Sequence, residues 1–110
     1  MSAPVRELGM SIDAATLAAV RALCRRFRVR RLDMFGSAVR EDFDPGRSDV
    51  DLLVSFESGA ETGLFGYVEF VDALEALFGR RVDLLSDKSL SNPYLRQEVE
   101  ADRRPLFPPV

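Results

Sequence analysis

Apolar residues recur along this chain at helical and at strand spacing, and the two spacings alternate. Apolar positions three or four residues apart predict two helices, at about 11–27 and 64–79, and start signals predict a third at about 92–103. Short apolar runs predict three strands, at about 32–35, 49–56 and 81–85. Ser11 is the expected cap of the first helix, and Asn92 with Pro93 opens the last one. The pattern predicts a strand, helix, strand unit with helices packed on a sheet.

The remaining segments read as connections within one domain. Residues 41–48 contain Asp44, Pro45 and Gly46 and therefore predict a loop. Leu106 and Phe107 predict a tail that is tied to the core. With 110 residues and no internal repeat, we expect a single domain over residues 1–110 with one modest core.

Two aspartates stand one residue apart at the head of the second predicted strand. Because successive strand side chains point to opposite faces, Asp49 and Asp51 would lie on one face, about 6.6 Å apart along the strand. Carboxylates this close repel each other, and a divalent cation such as Mg²⁺ would neutralise them. The plainer alternative is that Asp49 caps or turns the preceding loop while Asp51 is an exposed strand residue. For the pair taken alone, that alternative has the greater weight.

A glycine and a serine follow the first predicted strand. Gly36 would let the backbone approach a phosphate closely, and Ser37, at the start of a short helix, would add a hydroxyl donor beside free amides. Equally, Ser37 could be an ordinary helix cap and Gly36 an ordinary turn residue. The strand before this pair and the Asp-x-Asp strand after it are what favour a nucleotide site.

The chain resembles the minimal nucleotidyltransferases, a branch of the DNA polymerase beta-like nucleotidyltransferase superfamily. The matching stretches are 32–40 (LDMFGSAVR), 48–54 (SDVDLLV), 81–85 (RVDLL) and 92–96 (NPYLR). Together these stretches extend over most of the chain. The resemblance implies an α/β (α+β) fold, in which helices flank a small mixed β-sheet.

The resemblance also implies a nucleotide site with ATP as the substrate. Gly36 and Ser37 would hold the triphosphate, and Arg40 would reach a phosphate. For Arg40, the alternative that it is an ordinary exposed arginine on a short helix has equal weight. Where the family often reads alanine, arginine, glycine after the Gly-Ser turn, this chain has Val39, Arg40 and Glu41.

Three carboxylates would form the catalytic centre that the resemblance implies. Asp49 and Asp51 would hold Mg²⁺, with two ions expected. Asp83 matches the third carboxylate, either as a further metal ligand or as the general base that faces the acceptor hydroxyl. On local sequence alone, Asp83 reads as a solvated residue of a short strand.

Family resemblance points to a protein as the acceptor. Relatives of this size pair with a HEPN-domain ribonuclease toxin and silence it by transferring adenylate to a toxin tyrosine. We therefore expect an antitoxin with nucleotidyltransferase activity, working as part of a homo-oligomer or hetero-oligomer.

Two alternatives remain open at this point. In the first, the chain is a binding antitoxin with idle catalytic residues, because Glu41 adds negative charge near the expected triphosphate. In the second, it modifies a small molecule such as an aminoglycoside. The lack of room for an acceptor domain in 110 residues speaks against the second alternative.

Composition limits the expected binding partners and cellular location, but it does not indicate which reaction is catalysed. Net charge is −3, from 18 acidic and 15 basic residues, so we do not expect nucleic-acid binding. The basic cluster at residues 25–31 reads mainly as a solvated helix end, with a partner surface as the alternative. The chain has no histidine, and its single cysteine, Cys24, falls in the apolar pattern of the first helix. No apolar run reaches membrane-spanning length, and we expect a cytoplasmic protein.

Overall fold

A mixed β-sheet forms the centre of the computed structural model, which describes residues 12–39, 49–60 and 63–109. In this part of the chain the sheet has four strands, in the order β3-β2-β1-β4. They are β1 (Val29–Phe35), β2 (Val50–Phe56), β3 (Val82–Ser86) and β4 (Arg104–Phe107). β1 runs antiparallel to β2 and to β4, whereas β2 and β3 are parallel. The predicted mixed sheet is therefore confirmed.

Three α-helices accompany the sheet in the described residues. They are α1 (Ala14–Arg26), α2 (Gly63–Phe78) and α3 (Pro93–Asp102). Two short 3₁₀ helices follow β1 and β3, and they are Gly36–Val39 and Asp87–Ser91. Because β2 and β3 are parallel, α2 is the crossover between them, as the strand, helix, strand pattern predicted.

The two faces of the sheet are covered by different helices. α1 and α2 pack on one face, where Leu32 and Met34 of β1 meet Phe70 of α2 in the main core. α3 covers the other face, where Val99 packs against Phe35 and Leu53 in a smaller cluster. The alternation along β1 separates these residues, because positions 32 and 34 face one way and position 35 the other.

The start of α1 departs from the sequence prediction, whereas its end lies within one residue of it. Its N-cap is Asp13, whose carboxylate accepts a 2.7 Å hydrogen bond from the backbone of Thr16. That hydrogen bond holds the pKa of Asp13 below its usual value. Ser11, the predicted cap, lies outside the described residues, and the helix begins three residues after it. At the other end, the helix stops at Arg26, so Arg30 and Arg31 belong to β1 and are not part of a helix end.

The predicted tail is a strand. Arg104–Phe107 pairs with β1, and Leu106 is buried in the main core. The sequence predicts the contact of Leu106 with the core but not the strand, because four residues that include a proline give little strand signal. Cys24 is buried as predicted, and burial raises the pKa of its thiol to about 12. None of the described helices is long and apolar enough to cross a membrane.

Candidate active site

Gly36 brings the backbone against the carboxylate of Asp51. It opens the 3₁₀ helix after β1 with φ of +71°, which a residue with a side chain rarely adopts. A Cβ atom built on Gly36 would lie 2.4 Å from Oδ2 of Asp51, well inside van der Waals contact. This position therefore requires glycine both for its backbone conformation and for the space that Asp51 occupies.

Asp51 and Asp83 lie side by side on neighbouring strands. Asp51 pairs in register with Asp83 on one side and with Phe35 on the other, so the three form one row across the sheet. Residues that pair directly across strands project to the same face. Phe35 belongs to the cluster under α3, which places both aspartates on the α3 face of the sheet. Asp51 is partly buried and Asp83 is exposed.

Asp49 directly precedes β2 and is exposed. It stands two positions before Asp51, at the end of the sheet where β1 finishes and β2 and β3 begin. The backbone amide of Val50 donates a 2.9 Å hydrogen bond to the carbonyl of Arg81, which fixes the start of β2 beside β3. The structure thus gathers the three predicted aspartates at one end of the sheet.

The donor chemistry of this end fits Mg²⁺. Carboxylate oxygens are hard ligands, and Mg²⁺ in phosphoryl-transfer sites is bound through one or two carboxylates together with substrate phosphates. Among residues 12–39, 49–60 and 63–109, no three acidic, cysteine or histidine side chains converge closely enough to coordinate one ion alone. The register pair of Asp51 and Asp83 supplies two carboxylates, and that number suits a site completed by phosphate.

The other predicted nucleotide ligands are only partly described. The backbone of Ser37 belongs to the first 3₁₀ helix, directly after Gly36, while its side chain is not among those described. Arg40 and Glu41 lie outside the described residues, as does the predicted loop at 41–48. Their roles stay predictions from the sequence.

A buried carboxylate that no sequence pattern marks, that of Asp33, lies on the strand that leads to the turn at Gly36. Asp33 is fully buried, and its Oδ2 accepts a 2.8 Å hydrogen bond from Nε of Arg103 and forms an ion pair with Nε of Arg31, also at 2.8 Å. Oδ1 of Asp33 is buried as well, and it has no hydrogen-bond partner among the described residues. Arg103 directly follows α3, which packs against both β1 and the first 3₁₀ helix. Asp33 therefore ties the end of α3 to the strand that leads to Gly36.

Two side chains of α2 reach the strand that carries Asp83. The hydroxyl of Tyr67 donates a hydrogen bond to the carbonyl of Leu84, and Oε2 of Glu75 accepts a 2.9 Å hydrogen bond from the amide of Val82. Burial raises the pKa of Tyr67, and the negative charge of Asp83 raises it further. No pattern in the sequence marks either contact.

This chain is similar in sequence and in fold to known nucleotidyltransferases. The sequence profile of the family described as "Nucleotidyltransferase domain" matches residues 18–106. The protein adenylyltransferase MntA of Thermococcus cleftensis is 41% identical over 81 residues, which cover 74% of this chain and 79% of that protein. A solved structure described provisionally as a minimal nucleotidyltransferase is 40% identical, with a TM-score of 0.67, and the match covers 83% of this chain and 89% of that chain.

A more distant solved structure shares the fold. It is a complex of tri-AMPylated Shewanella oneidensis HEPN toxin with MNT antitoxin, and it matches at 20% identity with a TM-score of 0.59. The match covers 84% of this chain and 70% of that chain. At this identity the likeness concerns the fold alone.

Proposed function

This chain belongs to the nucleotidyltransferase domain family, and from that premise we propose that it transfers AMP from ATP, with Mg²⁺, to a tyrosine hydroxyl of a partner HEPN toxin. The observation that carries the proposal is the row of Asp51 and Asp83 beside the glycine turn. We infer a protein acceptor because the Thermococcus cleftensis relative is named a protein adenylyltransferase. The toxin as partner follows the solved complex whose antitoxin has this fold.

In this proposal the turn after β1 holds the triphosphate. Gly36 has no side chain, so the backbone amides that follow it can approach phosphate oxygens closely. The hydroxyl of Ser37 is assigned to the same phosphates, and the guanidinium of Arg40 to a neighbouring one. The absence of a Cβ at Gly36 also leaves Asp51 its position beside the bound nucleotide.

The three aspartates divide the remaining work. Asp49 and Asp51 would hold Mg²⁺ against the phosphates, and Asp83 would complete the site next to the acceptor. When bound, the metal neutralises the charge that develops on the transferring phosphoryl group and on the departing pyrophosphate. Asp83 lies in register with Asp51 and is exposed, so a side chain of another protein can reach it.

The proposed chemical step is an in-line displacement at the α-phosphorus of ATP. The acceptor hydroxyl oxygen forms a bond to that phosphorus, and the bond between the phosphorus and the pyrophosphate breaks. The hydroxyl proton passes to Asp83, and the products are an adenylylated tyrosine and pyrophosphate. In such transfers most of the rate acceleration comes from positioning and charge neutralisation.

The setting of this reaction is part of the proposal. The reaction consumes ATP and acts on a partner toxin, so we place the protein in the cytoplasm as a component of a toxin–antitoxin complex. Residues 1–110 are proposed to act as one nucleotidyltransferase domain. The acceptor then comes from the partner subunit.

The direct test is transfer of α-labelled ATP onto the purified partner toxin. The wild type should label the toxin with Mg²⁺ and lose this activity in EDTA. A variant with both Asp49→Asn and Asp51→Asn should lose labelling by at least about a hundredfold, since it keeps the fold but cannot hold the metal. Asp72→Asn, on the exposed side of α2, is the matched control and should label normally.

Two results would contradict the proposal. Full labelling by the double variant would show that Asp49 and Asp51 do not hold the metal. Toxin inhibition that survives in the double variant and needs no ATP would instead identify a binding antitoxin, the first alternative from the sequence. Intact folding of each variant is checked by circular dichroism and thermal unfolding.

A further inference from the structure

β3 carries Asp83 at the edge of the sheet. Among the described residues, in the order β3-β2-β1-β4, this strand has a neighbour strand only in β2. An edge strand leaves alternate backbone amides and carbonyls without a partner strand. The position of an exposed side chain on such a strand depends on how firmly the backbone beneath it is held. Asp83 is such a side chain, because it is exposed and no core packing fixes it.

Two hydrogen bonds from α2 hold this strand on its free side. One joins the amide of Val82 to Oε2 of Glu75 at 2.9 Å, and the other joins the carbonyl of Leu84 to the hydroxyl of Tyr67. Val82 and Leu84 are the residues immediately before and after Asp83. The backbone is thus fastened on both sides of Asp83 by side chains of one helix.

The geometry of α2 suits this arrangement. Tyr67 and Glu75 are eight residues apart, which is about two turns of the helix. Both side chains are partly buried, and between them Val71 packs against the main core. The phenol of Tyr67 thereby reaches the backbone directly after Asp83.

We propose that Tyr67 and Glu75 are positioning residues, which fix Asp83 for the transfer step by holding the backbone on both sides of it. This inference rests on the proposed function, in which Asp83 receives the acceptor proton. Neither side chain touches the nucleotide in this proposal. Their removal should therefore lower kcat and leave the KM for ATP nearly unchanged.

The test compares substitutions that remove one hydrogen bond with substitutions that keep it. Tyr67→Phe keeps the packed ring and removes the donor, whereas Glu75→Leu removes the acceptor. Each should lower kcat for transfer by about tenfold or more, because a displacement of about 1 Å at a reacting group costs up to about a hundredfold. Glu75→Gln retains a side-chain oxygen that can accept from Val82, and it should restore most of the rate.

Amide hydrogen exchange supplies a readout that does not depend on activity. The amide of Val82 should exchange faster in Glu75→Leu than in the wild type, and Glu75→Gln should keep most of the protection. This readout tests the contact of Glu75 separately from the proposed transfer function. If the wild type transfers no AMP but exchange changes as described, the proposed function fails while the contact between Glu75 and Val82 stands.

Three results would overturn the positioning role. Unchanged kcat in both Tyr67→Phe and Glu75→Leu would do so. Equal losses in Glu75→Gln and Glu75→Leu would exclude the hydrogen bond as the cause. Parallel changes in kcat, in the KM for ATP and in the melting temperature would indicate a general loss of structure.

Discussion

At the scale of single residues, Gly36 is the most constrained position of the candidate site. Its positive φ and its contact with Asp51 are separate demands that fall on one residue. The two can be separated experimentally, because Gly59 has a similar φ of +79° but open space where its Cβ would stand. Substitution of either glycine introduces backbone strain, and only one of them disturbs a carboxylate.

We expect Gly36→Ala to lose transfer activity and Gly59→Ala to keep it. Both should destabilise the fold by about 1–2 kcal/mol, the usual cost of a left-handed conformation for alanine. Gly36→Ala must in addition move Oδ2 of Asp51, which would lie 2.4 Å from the new Cβ. Thermal unfolding and transfer of labelled AMP measure the two effects. Equal activity in the two variants would contradict the importance of this contact.

Asp33 shows how burial changes the value of an ion pair. Its side chain is fully buried between Arg31 and Arg103, whereas Arg28 and Glu57 form a pair with more than half of each side chain exposed. Exposed pairs contribute about 0–1 kcal/mol, but removal of one partner from a buried pair costs about 3–5 kcal/mol. Both arginines of Asp33 keep some exposure, which reduces the expected cost.

Asp33→Asn should therefore lower the free energy of unfolding by about 2 kcal/mol. The matched substitution Glu57→Gln breaks the exposed pair with the same change of acid to amide, and it should cost less than about 1 kcal/mol. Equilibrium unfolding in urea measures both values. Similar costs for the two variants would mean that Asp33 contributes no more than a surface charge does.

At the scale of elements, the sequence predicts most of the helices and strands whose apolar residues follow a regular pattern. α2 and β2 were found because their apolar residues repeat regularly over many positions. Asn92 caps α3 as predicted, accepting hydrogen bonds from the amides of Tyr94 and Leu95. These signals are local, so they do not depend on which strands become neighbours.

Strand pairing and side-chain contacts between segments that are distant along the chain could not be predicted from the sequence. β4 has four residues, and its strand character comes from hydrogen bonding to β1 about seventy residues earlier. The ion pair of Asp33 with Arg103 and the contacts of Tyr67 and Glu75 likewise join residues that are distant along the chain or lie on different elements. Within the site, the Asp-x-Asp spacing is visible in the sequence. The register of Asp51 with Asp83 is known only from the pairing of β2 with β3 in the structure.

β4 should be essential to the fold despite its weak sequence signal. Leu106 is buried in the main core, and its carbonyl accepts a 3.0 Å hydrogen bond from Nε of Arg21 in α1. We expect Leu106→Ala to cost about 2–5 kcal/mol, as a buried leucine does when it leaves a cavity. Pro109→Ala, at an exposed position beyond the strand, should change stability by less than about 0.5 kcal/mol. Urea unfolding compares them, and a small cost for Leu106→Ala would mean that β4 is dispensable.

At the scale of the whole molecule, charge is separated along β1. The aspartates of the candidate site lie where this strand ends, whereas exposed arginines cluster where it begins. The cluster consists of Arg25, Arg26, Arg28, Arg30 and Arg31. Two of these guanidinium groups lie over aromatic rings, that of Arg25 at 5.8 Å from the Phe107 ring centroid and that of Arg26 at 5.5 Å from the Phe27 centroid. β1 therefore leads from a basic end, where Arg28 pairs with Glu57 and Arg30 with Asp87, to the end that carries the aspartates of the candidate site.

This separation predicts that the basic end does not contribute to nucleotide binding. Seven residues of β1 span about 20 Å, which is more than twice the Debye length of about 8 Å at physiological ionic strength. A variant with Arg25→Gln and Arg26→Gln should therefore keep the KM for ATP within about twofold at 0.15 M salt. Steady-state transfer over a range of ATP concentrations measures this value, with Asp51→Asn as the variant that should lose transfer. A KM that rises severalfold at this salt concentration would contradict the separation, because charges screened over that distance cannot act on the triphosphate.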